Sequence, residues 1–309
     1  MPAHNTLRGI RYSVARIKLI WQSKLVLLLV LPFVGADVVL QAHWWTVKFW
    51  PMTAWTLSLS LLLGLVVFQL HAATPGGTFT GVAITASLMF STATFIPGEH
   101  FLYAPWHTAL LPVLAVFVLA DIATRLGREQ KLRLGTAELR QGRNAAQVAA
   151  NLGVAAMASD GLAQSWLAGN SWFSHSAPGL LLTAGLAALA EAAADTVSSE
   201  VGQILGGWPR MITTLRKVEA GTDGAISLIG TLAGVASAVI VAAVGSWAMA
   251  GGAVMFWISC TGGVFGLFFD SLLGATLERR GWLNNDAVNY LSTASAALFA
   301  LGVLAVLFH

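Results

Sequence analysis

Charged residues and cysteine are scarce in this sequence. Of its 309 residues only 10% are Asp, Glu, Lys or Arg, whereas a soluble domain carries about 25%. The single cysteine, Cys260, excludes an intramolecular disulfide and a structural zinc cluster built on several cysteines. Hydrophobic residues make up 56% of the chain, and several apolar runs approach the roughly 20 residues that one membrane helix needs. The composition therefore predicts an all-α, polytopic integral membrane protein.

The apolar runs predict a bundle of about nine transmembrane helices. Their expected bounds are 24–43, 51–71, 78–96, 102–124, 144–167, 177–200, 223–249, 251–277 and 285–307. A signal peptide is the alternative for the first run, because a basic leader precedes it and Val34-Gly35-Ala36 has the small residues of a cleavage site. The apolar run continues to Leu40, which favours a retained helix. We interpret residues 1–309 as one membrane domain, with a less typical two-helix segment at 1–77 and a catalytic helical core at 78–307.

Lys and Arg are concentrated on one side of the predicted membrane. The connections 125–143, 201–222 and 278–284 are basic, whereas 97–101 and 168–176 contain no Lys or Arg. Because cytoplasmic connections carry the excess of Lys and Arg, this bias predicts a cytoplasmic amino terminus, an external carboxyl terminus and a location in the cell (inner) membrane. The net charge of +3 lies in short connections and forms no basic face, so we expect no nucleic-acid partner.

The sixth predicted helix carries acidic residues and hydroxyl groups on one face. An arc of roughly 100° holds Glu191, Asp195, Ser198, Ser199 and Gly202. Two carboxylates one turn apart repel each other, so a metal ion, a proton or an arginine must compensate them. Carboxylate and hydroxyl oxygens are ligands that Mg²⁺ accepts. The pattern indicates a metal–nucleotide site, and a structural polar network is the alternative.

The connection that follows combines glycines with cationic residues. Gly221-Thr222-Asp223-Gly224 precedes the next helix, whose amino-terminal amides favour phosphate. Arg210, Arg216 and Lys217 supply the positive charge that a polyphosphate needs. Neither GxxxxGK[ST] nor GxGxxG occurs. A phosphate-binding loop is therefore one interpretation, and a basic loop that only sets membrane topology is the other.

Three further helices have polar residues near their predicted cytoplasmic ends. These residues are Asn144, Gln147 and Asn151 on the fifth helix, Asp270 on the eighth, and Asn285, Asn289 and Ser292 on the ninth. Asn284 or Asn285 could serve only as a helix cap. We expect these groups to meet the acidic helix and the glycine-rich connection at one membrane face.

The same residues form a series of linked motifs in order along the chain. The series consists of Gly142-Arg143-Asn144 with Gln147 and Asn151, Ala194-Asp195-Thr196 with Ser199, Glu200 and Gly202, Pro209-Arg210 with Thr213 and Thr214, Gly221-Thr222-Asp223-Gly224 with Ser227, Asp270-Ser271 with Gly274, and Asn285-Asp286 with Asn289. Together they resemble the phytyl-phosphate kinase family of the vitamin E and phytol-salvage pathway, which is distantly similar to the membrane dolichol and phytol kinases. The resemblance covers about residues 80–307.

This resemblance implies CTP as the phosphoryl donor, a divalent metal and an isoprenoid monophosphate acceptor that becomes the diphosphate. On that basis we expect Asp195, Glu200 and Asp270 to be catalytic and to bind Mg²⁺. The expected nucleotide and phosphate ligands are Ser199, Arg210, Thr213, Thr214, Arg216, Lys217, Gly221, Thr222, Asp223, Gly224 and Ser227. The expected polar lining of the substrate site is Asn144, Gln147, Asn151, Asn285, Asp286 and Asn289. A CTP:lipid-phosphate cytidylyltransferase and a transporter without enzymatic activity are the alternatives.

Overall fold

The computed structural model describes residues 19–93, 103–135, 142–161, 163–164 and 177–307. These residues form nine α-helices, which we label α1 (Ile20–Gln69), α2 (Pro75–Ser91), α3 (Leu110–Arg125), α4 (Arg128–Leu134), α5 (Ala145–Ala158), α6 (Ala177–Leu205), α7 (Leu228–Ala248), α8 (Gly252–Leu273) and α9 (Asn285–Leu307). A 3₁₀ turn spans Pro105–His107, a π-helical turn spans Gly274–Glu278, and β1 (Arg210–Met211) pairs with β2 (Ala225–Ile226). The described residues are mostly helical, as expected, apart from this short pair of strands.

Helix α1 is interrupted at Phe49, where φ is −157° and ψ is 80°. Pro51 follows and has no backbone N–H to continue the helical hydrogen bonding. The Thr53 hydroxyl lies 3.4 Å from the carbonyl oxygen of Ala42. On a straight helix these 11 residues would span about 16 Å, so the chain folds back near Phe49. Helix α1 therefore consists of two segments, in agreement with the predicted separation of 24–43 from 51–71.

Within the described ranges, five helices are long and apolar enough to cross a membrane. They are α1, residues Gly179–Leu205 of α6, α7, α8 with its π-helical turn, and α9. Helices α2, α3 and α5 have 17, 16 and 14 residues and are shorter than expected. Helix α4 was not expected, because the basic segment 125–143 was interpreted as a plain connection. The basic leader before residue 19 and the predicted external connections 97–101 and 168–176 lie outside the described residues.

Helix α6 lies at the centre of the bundle and packs against α3, α5, α7, α8 and α9. Its alanine-rich face allows this close packing, because small side chains let helix backbones approach each other. A Cβ atom added at Gly234 of α7 would lie 2.7 Å from the Ala194 carbonyl oxygen, and one at Gly263 of α8 would lie 2.8 Å from Ala190 Cβ. Asp195 follows Ala194 directly, so this packing brings the acidic end of α6 between α7 and α8.

The connection from α6 to α7 folds as a small antiparallel hairpin. Arg210 pairs with Ile226, and Met211 pairs with Ala225. Gly224 has φ +75°, and a Cβ atom there would fall 2.5 Å from Ala275 Cα. Only glycine fits this backbone conformation and contact. The hairpin therefore holds residues 221–224 against the end of α8, one turn beyond Asp270.

Candidate active site

A polar cavity of about 510 Å³ lies where the ends of α5, α6, α8 and α9 meet the 220–227 turn. Most of the predicted site residues line it. They are Gln147, Asn151, Asp195, Ser199, Glu200, Gly221, Thr222, Asp223, Gly224, Ser227, Asp270, Asn285, Asp286 and Asn289. The predicted residues that do not line it are Asn144, Arg210, Thr213, Thr214, Arg216 and Lys217. The cavity also includes Ser198, which belongs to the predicted acidic face. It includes Arg143, Thr196, Gln203, Ser271 and Glu278 as well, which were absent from the predicted set.

Asp195 and Asp270 form the acidic floor of this cavity. Their carboxyl groups lie within hydrogen-bonding reach of each other, Glu191 lies one helical turn before Asp195, and the Ser292 hydroxyl lies beside Glu191 and Asp270. Asp270 Oδ2 and Glu191 Oε1 are shielded from solvent and have no hydrogen-bond partner among the described residues. Buried carboxylate oxygens in such a cluster require a cation or a proton.

The donor set of this floor fits Mg²⁺ that also binds phosphate. Such ions typically use one or two carboxylates together with substrate phosphate oxygens and water. Asp195 and Asp270 supply two carboxylates, and Asp270 has a free oxygen atom. Over the described part of the chain, no group of three or more His, Cys, Asp or Glu side chains is arranged to hold a metal ion. An ion at this position would therefore take its remaining ligands from phosphate and water.

Glu200 differs from these two residues in its direct ion pair with a lysine. It forms an ion pair with Lys131 of α4, whose side chain is 1% exposed. The Lys131 ammonium also donates hydrogen bonds to the carbonyl oxygens of Ala123 (2.7 Å) and Thr124 (3.1 Å). These carbonyls lie at the carboxyl end of α3, where a helix favours positive charge. Glu200 lines the cavity, but Lys131 already compensates its charge, so Asp195 and Asp270 are better placed for Mg²⁺.

Arg143 is the one Lys or Arg side chain among the described residues that line the cavity. Its backbone is fixed by a parallel bridge to Ala73, in which Arg143 N donates to Ala72 O and Thr74 N donates to Arg143 O, each at 3.0 Å. Gly142 makes this approach possible, because its φ is +74° and a Cβ atom there would fall 2.5 Å from Ala73 N. The guanidinium lies 3.5 Å from the Thr196 hydroxyl and interacts electrostatically with Asp195. The Gly142-Arg143 motif was the signal that could have identified Arg143 as a site residue. Its place in the basic connection 125–143 instead indicated a role in setting membrane topology.

The cationic residues of the hairpin make local contacts outside the cavity. Arg210 Nη1 donates to the carbonyl oxygen of Leu215 at 2.8 Å, and the Lys217 ammonium lies 5.7 Å from the ring centroid of Trp208. Arg210, Thr213, Thr214, Arg216 and Lys217 are all exposed. The glycine turn of the same connection does line the cavity. The structure thus separates the glycines of this loop from its positive charges.

The polar residues of α5 and α9 divide into helix caps and cavity residues. Asn144 caps α5 by accepting hydrogen bonds from Ala146 N and Gln147 N. Asn284 caps α9 by accepting from Ala287 N at 2.9 Å. Asn285 and Asn289 are thereby free of the capping role and line the cavity. Asn289 Nδ2 lies 3.5 Å from Asn151 Oδ1 and connects α9 to α5.

The first residues of α1 are hydrogen-bonded to the start of α9 and to the connection before it. The Ser23 hydroxyl donates to Asp286 Oδ2 at 2.6 Å, and Gln22 Nε2 donates to Trp282 O at 2.8 Å. Asn284 Nδ2 donates to Leu19 O at 2.9 Å. The segment 1–77 contributed nothing to the family resemblance, yet its described part is bonded to a residue of the site. Gln22 and Ser23 belong to none of the linked motifs, so sequence reasoning had no signal by which to find them.

Comparisons with known proteins give one family and several relatives. The integral membrane protein family DUF92 matches residues 58–297. The chain is 42% identical over 119 residues to "Uncharacterized membrane protein MJ0933" of Methanocaldococcus jannaschii, covering 38% of the chain and 49% of that relative. It is 34% identical over 203 residues to "Uncharacterized membrane protein sll0875" of Synechocystis sp., covering 62% and 72%. It is 29% identical over 212 residues to "Protein VTE6, chloroplastic" of Arabidopsis thaliana, covering 68% and 62%.

The chain thus spans about half the length of the M. jannaschii relative and somewhat less than two thirds of the A. thaliana relative. No solved structure matches the chain.

Proposed function

The chain belongs to the DUF92 family of integral membrane proteins, and from this premise we propose that it is a membrane kinase that transfers a phosphoryl group from CTP to an isoprenoid monophosphate such as phytyl phosphate. The match to VTE6 over 68% of the chain supports the resemblance to phytyl-phosphate kinases that the motifs predict. The single observation that carries the reaction type is the 510 Å³ cavity, which joins two carboxylates, a fixed arginine and a glycine turn.

The proposed reaction follows from the charges of the reactants. An oxygen of the acceptor monophosphate forms a bond to the γ-phosphorus of CTP, the β–γ bridging bond breaks, and CDP leaves. The acceptor oxygen is already anionic, so the protein needs no strong general base. Bringing two anionic phosphates together concentrates negative charge, and positioning with electrostatic neutralisation is the main requirement. Mg²⁺, when bound, would neutralise charge on the phosphate oxygens.

Each part of the cavity has a role in this proposal. Asp195 and Asp270 would bind the Mg²⁺ ion that accompanies the nucleotide. Arg143 binds the acceptor phosphate with its planar guanidinium group. Gly221–Gly224 and Ser227 border the cavity next to the amino-terminal end of α7, where backbone N–H groups favour phosphate. Asn151 and Asn289 line the wall between these groups. The exposed cations of the hairpin lie outside this arrangement.

We also propose nine membrane passes, with the amino terminus and the cavity on the cytoplasmic side of the cell membrane. Helix α1 would cross twice, on either side of Phe49, and α2, α3, α5, α6, α7, α8 and α9 once each. This alternation places every cavity-lining helix end on one side, together with the basic connections. Cysteine labelling tests it in a Cys260→Ala background: an external reagent should modify Lys48→Cys and should not modify Thr214→Cys. The reverse pattern would place the cavity outside.

The test of function is an assay of the purified protein in nanodiscs with CTP, Mg²⁺ and a panel of prenyl monophosphates. A kinase yields CDP and the prenyl diphosphate. A cytidylyltransferase, which attacks the α-phosphorus, yields pyrophosphate and a CDP-lipid. A transporter gives substrate flux into liposomes without nucleotide turnover. Replacement of CTP by ATP, GTP or UTP in the same assay identifies the donor. Absence of CDP formation with every acceptor would contradict the proposal.

A further inference from the structure

A second cavity of about 180 Å³ lies between α1, α2, α3 and α5 and shares Arg143 and Asn151 with the polar cavity. We propose that this second cavity, the tail cavity, binds the isoprenoid chain of the acceptor while Arg143 binds its phosphate. The inference rests on the proposed function for the identity of the acceptor. It adds a binding site on the amino-terminal helices, to which the sequence motifs assign no role.

The polarity of the tail cavity changes along its length. One end is lined by the polar residues His71, Asp121, Arg125, Arg128 and Arg143, of which Asp121 and Arg125 form an ion pair. The remainder is lined mainly by apolar residues, which include Leu63, Val67, Val82, Val116, Phe117 and Ala120. Such a gradient suits an amphiphile with an anionic head and a hydrocarbon tail. A small polar substrate would gain nothing from the apolar walls, because burial of apolar surface is what stabilises a ligand there.

The length of the tail cavity also fits a chain of several isoprene units. Helix α3 lines it from Val113 to Arg125, and the 12 residue steps between them rise about 18 Å. The polar end of the tail cavity is the end that adjoins the polar cavity, because Arg143 lines both cavities. A phosphate held by Arg143 would therefore point toward Asp195, and its tail would extend away from Asp195 along α3.

Helix α2 supplies a position where the cavity can be filled. Gly81 lines the tail cavity, and a Cβ atom there would meet only Val148 Cγ1, at 3.8 Å. A methyl group is therefore accommodated, and a larger side chain extends into the open space. Gly76 lies on the same helix but lines neither cavity and is exposed. Gly81→Phe and Gly76→Phe are thus a matched pair of variants.

Photocrosslinking tests the location of the tail without relying on turnover. The probe is a farnesyl monophosphate analogue with a diazirine at the end of its tail, added to the full chain in nanodiscs. Mass spectrometry should find adducts on residues 78–85 of α2 or 113–120 of α3, and unlabelled farnesyl monophosphate should suppress them. Adducts confined to the lipid-facing surface of α7, or adducts that competitor does not suppress, would overturn the proposal.

The filled variants test selectivity for chain length. Gly81→Phe should lower crosslinking, and kcat/KM for phytyl monophosphate, by about tenfold, the loss expected when roughly two methylene groups lose burial. Gly76→Phe should retain wild-type values, and Gly81→Phe should still use geranyl monophosphate. If Gly81→Phe lowered kcat/KM equally for both acceptors, the tail would not lie in this cavity. Thermal unfolding of each variant establishes that the variant is folded.

The two proposals fail in different ways. Suppressible adducts on α2 or α3 without CDP formation would retain the tail site and reject the kinase. CDP formation with adducts elsewhere would retain the kinase and reject the tail site.

Discussion

The assignment of Arg143 to the acceptor phosphate predicts that Arg143→Lys will impair catalysis although it preserves the charge. A lysine ammonium is a compact charge and cannot reproduce the two parallel hydrogen bonds of a guanidinium group to one phosphate. The backbone of residue 143 should keep its place, because its bonds to Ala72 and Thr74 are main-chain bonds. The variant therefore changes the proposed contact with phosphate and leaves the backbone bridge that positions residue 143.

The size of the effect follows from the contact that is lost. A hydrogen bond to a charged group contributes about 1.5–3 kcal/mol, and each 1.4 kcal/mol corresponds to about a tenfold change in an equilibrium constant. Loss of one of the two bonds should lower kcat/KM for the prenyl monophosphate by about 10- to 100-fold. The KM for CTP should change much less, because our proposal assigns the nucleotide to the carboxylates and the glycine turn.

The assay is steady-state formation of CDP with each substrate varied in turn. Arg280→Lys is the matched control, since Arg280 is exposed, belongs to a connection on the same side and does not line the cavity. Wild-type kinetics for Arg143→Lys would refute the assignment. A larger change in the KM for CTP than in that for the acceptor would place Arg143 on the nucleotide instead.

The other predictions concern the carboxylates and the hairpin. Asp195→Asn should abolish turnover and leave the thermal unfolding midpoint nearly unchanged, with Glu129→Gln, at an exposed carboxylate that lines neither cavity, as control; activity in a folded Asp195→Asn protein would show that Asp195 does not bind the metal. Glu200→Gln should lower the free energy of unfolding, because breaking a buried ion pair costs about 3–5 kcal/mol, and the lower end applies since Lys131 retains two carbonyl acceptors. A thermal melt of the Lys131→Met/Glu200→Met double variant should recover part of that loss. Arg216→Lys should leave kcat/KM for CTP unchanged, as expected for an exposed side chain outside the cavity; a tenfold loss would instead place the nucleotide beside the hairpin.

The periodic, apolar parts of the fold could be predicted from the sequence. The bounds of α7 to α9 agree with the prediction within a few residues, because long apolar runs between polar connections have few other solutions. Helix α4 was missed because Lys131 lies in a basic segment, where the position of each charge says nothing about burial. The Lys131 ammonium is buried because Glu200 and the end of α3 surround it. Such a pairing between distant residues leaves no local pattern.

The candidate site was predictable to the extent that its residues lie on regular helices. Asp195 and Asp270 were expected to meet because both lie near helix ends that the sequence predicts on the same side of the membrane, and the cavity contains both. The hairpin was harder, since composition alone does not tell which side of a turn faces the site. Gly224 faces it, whereas Arg216 faces solvent. Arg143 faces it because of a backbone bridge to Ala73, a contact that no residue spacing reveals.

The bonds between the start of α1 and the entry to α9 have a consequence for biosynthesis. Ser23 and Asp286 are separated by 263 residues, which a ribosome adds in about 13–53 s at roughly 5–20 residues per second. During that interval Gln22 and Ser23 are already synthesised while their partners are not. Translation that stops before Trp282 would leave both side chains without these bonds and the cavity without Asn285, Asp286 and Asn289. Synthesis of α9 thus completes the contacts of the first residues of α1, and the polar cavity gains its α9 residues only at that stage.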